Sequence, residues 1–124
     1  MVGGYAFALH ARPRYTRDLD IFVDCSEENA RRLINALTTF GFTLSSLTWE
    51  DLAMPGRVVQ LGYPPLRIDI MTAINKVVFA DAWSRKVQSR YGKQEAYFIS
   101  REDLIAKKQA SGRKQDLLDL ESLR

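Results

Sequence analysis

Two aspartates, Asp18 and Asp20, flank a leucine at the start of a short apolar segment. Side chains on a β-strand alternate between its faces, so a strand here would direct both carboxyl groups to one face and Leu19 and Ile21 into the core. Aspartate is uncommon in strands, and two carboxylates this close repel each other unless a cation neutralises them. The pair therefore predicts a cation site, most simply a hard divalent ion.

A third aspartate, Asp69, repeats this pattern inside the apolar segment from Arg67 to Met71. If the two strands are neighbours, the three carboxylates meet on one face of a sheet. Mg²⁺ is commonly held by one or two carboxylates together with phosphate oxygens. Carboxylates around two metal ions suit phosphoryl or nucleotidyl transfer, in which one ion activates the attacking oxygen and the other stabilises the leaving pyrophosphate.

A pair of glycines, Gly3 and Gly4, precedes a segment that is predicted to be a short helix. Exposed backbone N–H groups at the start of a helix bind phosphate well. The spacing excludes a dinucleotide-binding fingerprint, because the third glycine of that motif is absent. Three arginines between the glycines and Asp18 can hold phosphate groups or substrate: Arg12, Arg14 and Arg17.

The elements that would position these groups alternate between strands and helices. Strands are predicted over 19–23, 57–63, 66–71, 86–91 and 96–99, the second and third joined by a proline turn and the last two by Gly92. Helices are predicted over 5–10, from Ser26 to about residue 40, over 79–84, from Ser100 to residue 110 and over 114–123, with a short turn over 48–53. The last helix has an apolar set at Leu117, Leu118, Leu120 and Leu123. A mixed sheet flanked by helices is an α+β (α/β) fold.

Length and composition exclude several classes of protein. A chain of 124 residues with 46% hydrophobic and 27% charged residues forms a single globular domain over 1–124 and is neither disordered nor collagen-like. Apolar runs stay well short of the ~18 residues of a membrane span, so no membrane association is expected. The single cysteine, Cys25, excludes an internal disulfide, and cytoplasmic localisation is the expectation. The net charge of +3 mildly favours polyanionic partners such as nucleotides or RNA.

These motifs together resemble the DNA polymerase β-like nucleotidyltransferase superfamily. The resemblance is carried by residues 2–6 (VGGYA), residues 14–21 (RYTRDLDI) and the later Asp69. It extends to small bacterial nucleotidyltransferase-like proteins of the abortive-infection (AbiEii-type) toxin kind, through residues 102–108 (EDLIAKK), Gly112-Arg113 and residues 116–119 (DLLD). It covers nearly the whole chain.

The resemblance implies a role for each matching residue. Asp18, Asp20 and Asp69 would be the catalytic carboxylates and the ligands of Mg²⁺ or Mn²⁺, with Asp69 as ligand or base. The nucleotide-binding residues would be Gly3, Gly4, Arg14, Thr16 and Lys108. Asp116 would support the site from the last helix. The implied reaction moves an NMP from an NTP to a hydroxyl of tRNA, protein or a small molecule, with a toxin–antitoxin role as one setting.

Two departures from the superfamily pattern matter. Relatives often have a lysine directly before the position of Asp116, where this chain has Gln115. Relatives also carry a helix and a strand before the glycine pair, whereas this sequence starts two residues before it. A missing first strand would leave an exposed sheet edge, which favours a homodimer formed by strand pairing.

Other functions stay open alongside the enzyme. A degenerate nucleotidyltransferase fold could bind nucleotide or a partner protein without turnover, and Gln115 favours this reading. A basic nucleic-acid-binding domain with structural carboxylates is the third hypothesis. In it Asp18 and Asp20 pair with Arg14 or Arg17, and Asp69 pairs with Arg67. His10 is expected on a helix surface rather than as a general base.

Aromatic and basic residues around the second predicted hairpin also have two interpretations. Trp49 and Trp83 are expected as packing anchors, although an exposed tryptophan can stack a base. Four basic residues cluster near Gly92 and either face solvent or contact RNA or phosphate: Arg85, Lys86, Arg90 and Lys93.

Overall fold

A computed structural model describes residues 1–11, 18–42, 44, 46–63, 66–74 and 77–124. For Gly4, Asp18, Tyr63 and Leu66 it describes the backbone alone. The predicted proline turn and Arg12, Arg14, Thr16 and Arg17 lie outside the described residues. The roles of Arg14 and Thr16 stay predictions from the sequence.

Helices and strands alternate along the described chain. Their bounds are α1 Gly4–His10, β1 Asp18–Phe22, α2 Glu27–Phe40, α3 Trp49–Leu52, β2 Val58–Tyr63, β3 Leu66–Met71, α4 Phe79–Ser84, β4 Val87–Tyr91, β5 Gln94–Phe98, α5 Arg101–Ser111 and α6 Lys114–Leu123. The predicted elements are all present, with ends that differ by a few residues at most. The mixture of helices and strands confirms the α+β fold. In the described part of the chain, no helix combines the length and the apolar character that crossing a bilayer requires.

The strands form a mixed three-stranded sheet and a separate hairpin. In the sheet the order is β1-β3-β2, with β1 parallel and β2 antiparallel to the central β3. The predicted adjacency of the two aspartate-bearing strands is thus confirmed. Strands β4 and β5 pair antiparallel, as predicted.

The first two residues connect the sheet to the hairpin. The N–H of Ile99, just after β5, donates to the carbonyl of Met1 at 2.9 Å, and the N–H of Val2 donates to the carbonyl of Asp20 at 3.0 Å. This short extended segment therefore runs between β5 and the outer edge of β1. It places Gly3 and the start of α1 directly beside the middle of β1.

The sheet has an apolar cluster on each face, because strand side chains alternate. On one face Ile21 and Ile70 pack with residues of α2 and α3. On the other face Phe22 and Met71 pack with residues of α1, β5, α5 and α6. Asp20 and Asp69 precede Phe22 and Met71 by two residues, so the carboxylates share the face that α1, α5 and α6 cover.

Two helices begin and end where local chemistry predicts. The hydroxyl of Ser26 accepts from the N–H of Asn29 at 3.3 Å at the start of α2, and Ser100 does the same for Asp103 at 3.1 Å at the start of α5. Gly41 and Gly112 follow the helices with φ of 116° and 64°, the left-handed region that side chains disfavour.

The predicted apolar face of α6 needs correction. Leu120 and Leu123 are buried, but Leu117 and Leu118 are 51% and 52% exposed. The inward positions that precede Leu120 are taken by aspartates, Asp116 and Asp119, which are buried. Their burial is possible because α5 supplies a cation to both, as described below.

Candidate active site

Asp20 and Asp69 are direct register partners on the parallel strands β1 and β3. Neighbouring strands lie about 4.8 Å apart, and partners in register direct their side chains to the same face. Asp69 is 7% exposed, and Asp20 is partly buried. The structure thus brings two of the three predicted carboxylates side by side at the edge of a packed core.

Asp18, the third predicted carboxylate, is the first residue of β1 and is in register with Arg67. It lies two residues before Asp20 along the same strand. Its role as a metal ligand stays a prediction. Among the residues whose side chains the structure describes, no three His, Cys, Asp or Glu side chains group closely enough to hold a metal ion.

Gly3 contacts the Asp20 carboxylate so closely that no side chain fits there. It precedes α1 with φ 74° and ψ −147°, a conformation that is essentially restricted to glycine. A Cβ added to it would lie 2.0 Å from Oδ2 of Asp20. Gly4 is the first residue of α1. Contact of both glycines with a triphosphate stays a prediction, but the structure gives Gly3 a second reason to be glycine that the sequence did not reveal.

An arginine accompanies the carboxylate pair. Nη2 of Arg67 donates to Oδ2 of Asp69 at 3.1 Å, so the ion pair considered from the sequence is present. Nε of Arg67 is also 3.1 Å from Oδ1 of Asp69, but its N–H bond does not point at that oxygen. Oδ1 of Asp69 is therefore buried and accepts no hydrogen bond from the described residues. A buried carboxylate oxygen of this kind has capacity for a further cation.

Lys108 lies in a buried charge cluster between α5 and α6. Its side chain is 4% exposed, and its Nζ donates to Asp116 at 3.1 Å and to Asp119 at 2.8 Å. The same ammonium lies 5.5 Å from the centre of the Phe7 ring in α1. Contact between Lys108 and the nucleotide stays a prediction. In the structure Lys108 holds α6 against α5, behind α1.

Asp116 and Asp119 receive further support within the cluster. Burial raises the pKa of Asp116, but hydrogen bonds from Ser111, Lys108 and Arg113 outweigh burial and bring it to about 2. Gln115 donates through Nε2 to Asp119 at 2.8 Å. The predicted supporting position of Asp116 is thus one part of a network that fixes two helices.

Lys107 is the neighbouring lysine, and it is only half buried. Burial lowers its pKa, and the charge of Lys108 lowers it further, whereas the charges of Asp20 and Asp116 oppose that decrease. Lys107 therefore lies within electrostatic reach of the Asp20 carboxylate. The sequence did not single it out, because two adjacent lysines give no information about which of them turns inward.

The remaining candidates have structural contacts. Nε2 of His10 hydrogen-bonds with the carbonyl of Ile99 at 2.7 Å, which ties the end of α1 to the segment after β5. Asp24 follows the end of β1, and its carbonyl accepts from the side chain of Asn29 at 2.8 Å. Cys25 is a free, partly buried thiol.

Comparison with known proteins gives the reaction class. A family model described as a nucleotidyltransferase of unknown function (DUF6036) matches residues 1–124. No curated protein matches the chain. The family description leaves the substrate, the acceptor and the metal open.

Proposed function

We propose that this chain, which belongs to the DUF6036 family of nucleotidyltransferases of unknown function, transfers an NMP from a metal-bound NTP to a hydroxyl acceptor. The observation that carries the proposal is the register of Asp20 with Asp69, with Gly3 packed against the Asp20 carboxylate. Two adjacent carboxylates beside a glycine-rich helix start suit the binding of a divalent cation together with phosphate groups.

The residues present fit a divalent metal, Mg²⁺ or Mn²⁺. Asp69 has a buried oxygen that accepts no hydrogen bond from the described residues, and Asp20 lies beside it. Asp20 and Asp69 would hold the metal, with Asp18 as the third proposed ligand. When bound, such ions supply activation of the acceptor oxygen and neutralise charge on the leaving pyrophosphate.

The chain itself contributes positioning and charge. The absence of a side chain at Gly3 leaves room for the Asp20 carboxylate and lets the backbone of α1 approach the phosphates closely. The first N–H groups of α1 have no partner within the helix, and we assign them to the triphosphate together with Arg14 and Thr16. Lys107 adds positive charge near Asp20. A contact from Lys108 would require its pairs with Asp116 and Asp119 to open.

A tRNA or protein hydroxyl is the acceptor that we favour, in a role similar to that of abortive-infection toxins. The support is the resemblance to those proteins together with the net charge of +3. This choice concerns the acceptor alone and does not affect the nucleotide site.

A second candidate function is nucleotide binding without turnover. The ion pair between Arg67 and Asp69 favours it, because a guanidinium already neutralises one of the two carboxylates. A fold that has lost catalysis can keep its carboxylates in this way as structural groups.

Transfer of labelled phosphate distinguishes the two candidates. The purified chain is incubated with tRNA or protein acceptors and NTP labelled at the α- or the γ-phosphate, with and without Mg²⁺. Nucleotidyl transfer predicts incorporation of the α-label alone, dependent on Mg²⁺ and lost in Asp20→Asn. Mg²⁺-dependent NTP binding without incorporation would favour the second candidate. Incorporation that persists in a folded Asp20→Asn variant would contradict the proposal.

A further inference from the structure

Two large aromatic side chains lie exposed next to each other beside the β4–β5 hairpin. Trp83 in α4 is 47% exposed and Tyr97 in β5 is 45% exposed. Their ring centres are 5.2 Å apart, and the ring planes meet at 74°. Aromatic rings usually contribute their large area to a core or an interface, so an exposed adjacent pair indicates a contact surface.

Two phenylalanine rings hold Trp83 in position. The Phe79 ring stacks against it at 5.9 Å with an interplanar angle of 19°, and Phe79 in turn meets Phe22 of β1 edge-on at 5.1 Å. The tryptophan is thus ordered before any ligand arrives. This order before binding lowers the conformational-entropy cost of binding a ligand.

Positive charge lies directly on these rings. Nζ of Lys86 is 4.1 Å from the centre of the Trp83 ring and 5.1 Å from that of Tyr97. Gln88 is in register with Tyr97 and Arg90 with Glu95, so Gln88, Arg90 and Glu95 share its face of the hairpin, while Ala96 and Phe98 face the core. We call Trp83, Lys86, Gln88, Arg90 and Tyr97 the aromatic-basic face.

We propose that the aromatic-basic face binds single-stranded nucleic acid, with bases stacked on Trp83 and Tyr97 and phosphates held by Lys86 and Arg90. Stacking rings interleaved with cations are the combination that sequence-tolerant single-strand binding uses. A base that covers the Trp83 ring would displace the Lys86 ammonium, which then moves to a phosphate.

The positive charge of the aromatic-basic face favours single-stranded nucleic acid over a cationic ligand. A cationic ligand would also suit an aromatic surface, but Lys86 already occupies the rings and would repel it. Glu95 is opposite Arg90 and accepts from Gln88 at 3.2 Å, so the two cations Lys86 and Arg90 outnumber this carboxylate and leave the aromatic-basic face positive. Arg85 adds little positive charge to this face, because Asp103 neutralises it through two hydrogen bonds of 3.1 and 2.8 Å. A polyanion that carries flat rings satisfies both the aromatic and the basic parts of the face.

A shallow pocket extends from the aromatic-basic face toward the candidate active site. Its lining includes Trp83 and Tyr97 of this face and also Val2 and Phe22. Val2 bonds to the backbone of Asp20, and Phe22 follows Asp20 by two residues. The proposed binding of nucleic acid does not depend on the proposed transfer of NMP. If the chain does transfer NMP, a nucleic-acid acceptor bound to this face would lie near Asp20 and Asp69.

Fluorescence anisotropy with labelled oligonucleotides of about 12 nucleotides tests the proposal. The probes are oligouridine RNA, oligothymidine DNA and a duplex, each measured over a salt series. We expect single strands to bind with a Kd of about 1–100 µM at physiological salt and more tightly at low salt. Trp83→Ala and Tyr97→Ala should each weaken binding about tenfold, and Lys86→Gln should reduce the salt slope by about 0.7. The RNA and DNA arms show which sugar is preferred.

A matched control lies elsewhere on the molecule. Arg31 lies over the Trp49 ring at 4.2 Å, which is the same kind of cation–aromatic pair at α2 and α3. Arg31→Gln removes one positive charge there and should leave binding unchanged apart from a small general charge effect. Asp20→Asn should also leave oligonucleotide binding intact, which separates a failure of this proposal from a failure of the transfer reaction.

Intrinsic fluorescence gives a readout that does not depend on deleting the aromatic side chains. The chain has two tryptophans, so in a Trp49→Phe variant only Trp83 reports. Bound bases should quench it, and Trp83→Phe should retain most of the affinity that Trp83→Ala loses. Absence of binding at about 100 µM oligonucleotide, equal binding of duplex and single strands, or binding without Trp83 quenching would each overturn the proposal.

Discussion

The contact between Gly3 and Asp20 makes Gly3→Ala the most informative single substitution. An alanine Cβ at position 3 would lie 2.0 Å from Oδ2, 2.9 Å from Cγ and 3.0 Å from Cβ of Asp20. The backbone there has φ +74°, which an L-residue rarely adopts. The substitution therefore strains the backbone and also forces the carboxylate to turn away from its present position.

The two effects have different magnitudes. Backbone strain of this kind costs about 1–3 kcal/mol, and for a chain of this length each kcal/mol lowers Tm by about 3–6 °C. Displacement of a reacting group by about 1 Å costs on the order of 10²-fold in rate. We therefore expect a variant that still folds, melts somewhat earlier and loses most Mg²⁺-dependent NTP binding and transfer.

Gly56→Ala supplies the matched control. Gly56 has φ +77°, close to the +74° of Gly3, but a Cβ there would meet nothing within 4 Å. Gly56→Ala should lower Tm through the strain of its positive φ and leave NTP affinity unchanged by isothermal titration calorimetry. If Gly3→Ala kept wild-type NTP affinity, or if Gly56→Ala lost as much, the reasoning about the Asp20 carboxylate would be refuted.

The buried charge cluster gives two further predictions. Lys108→Met leaves Asp116 and Asp119 buried without their cation and should cost about 3–5 kcal/mol in urea unfolding, whereas Lys107→Met should cost clearly less; equal losses would contradict the burial argument. The pKa of Asp116 is lowered from 3.8 to about 2, so its contribution to stability is complete above pH 3.8 and is lost as the pH falls toward 2. In Asp116→Asn the unfolding free energy should decrease less than in the wild type as the pH falls from 3.8 to about 2. An acid profile identical to that of the wild type would contradict this role of Asp116.

Local sequence signals were sufficient for the elements themselves. Ser26 and Gly41 delimit α2 because a cap hydroxyl and a left-handed glycine act within a few residues of the helix ends. The adjacency of β1 and β3 could be inferred because an aspartate in each of two apolar strands is rare enough to suggest a shared site. These inferences needed no knowledge of tertiary packing.

Two features of the candidate site depend on tertiary packing and could not be predicted from the sequence. The contact of Gly3 with Asp20 depends on the bond between Val2 and Asp20, which joins residues far apart in the chain. On α6, apolar residue type suggested that Leu117 and Leu118 were inward, but the cation of Lys108 makes the aspartates the buried residues. Charge pairing across two helices is not encoded in the periodicity of either helix alone.

Thermal melting with each NTP, with and without Mg²⁺, tests the central claim most directly. The chain is compared with Asp20→Asn and Asp69→Asn, and with Asp24→Asn as a control just beyond the end of the same strand. NTP at about 100 times its Kd should stabilise the protein by about 2.7 kcal/mol, a shift of roughly 10 °C. The account predicts a Mg²⁺-dependent shift for the wild type and Asp24→Asn that disappears in the other two variants. No shift with any NTP, or an equal shift in all four proteins, would contradict it.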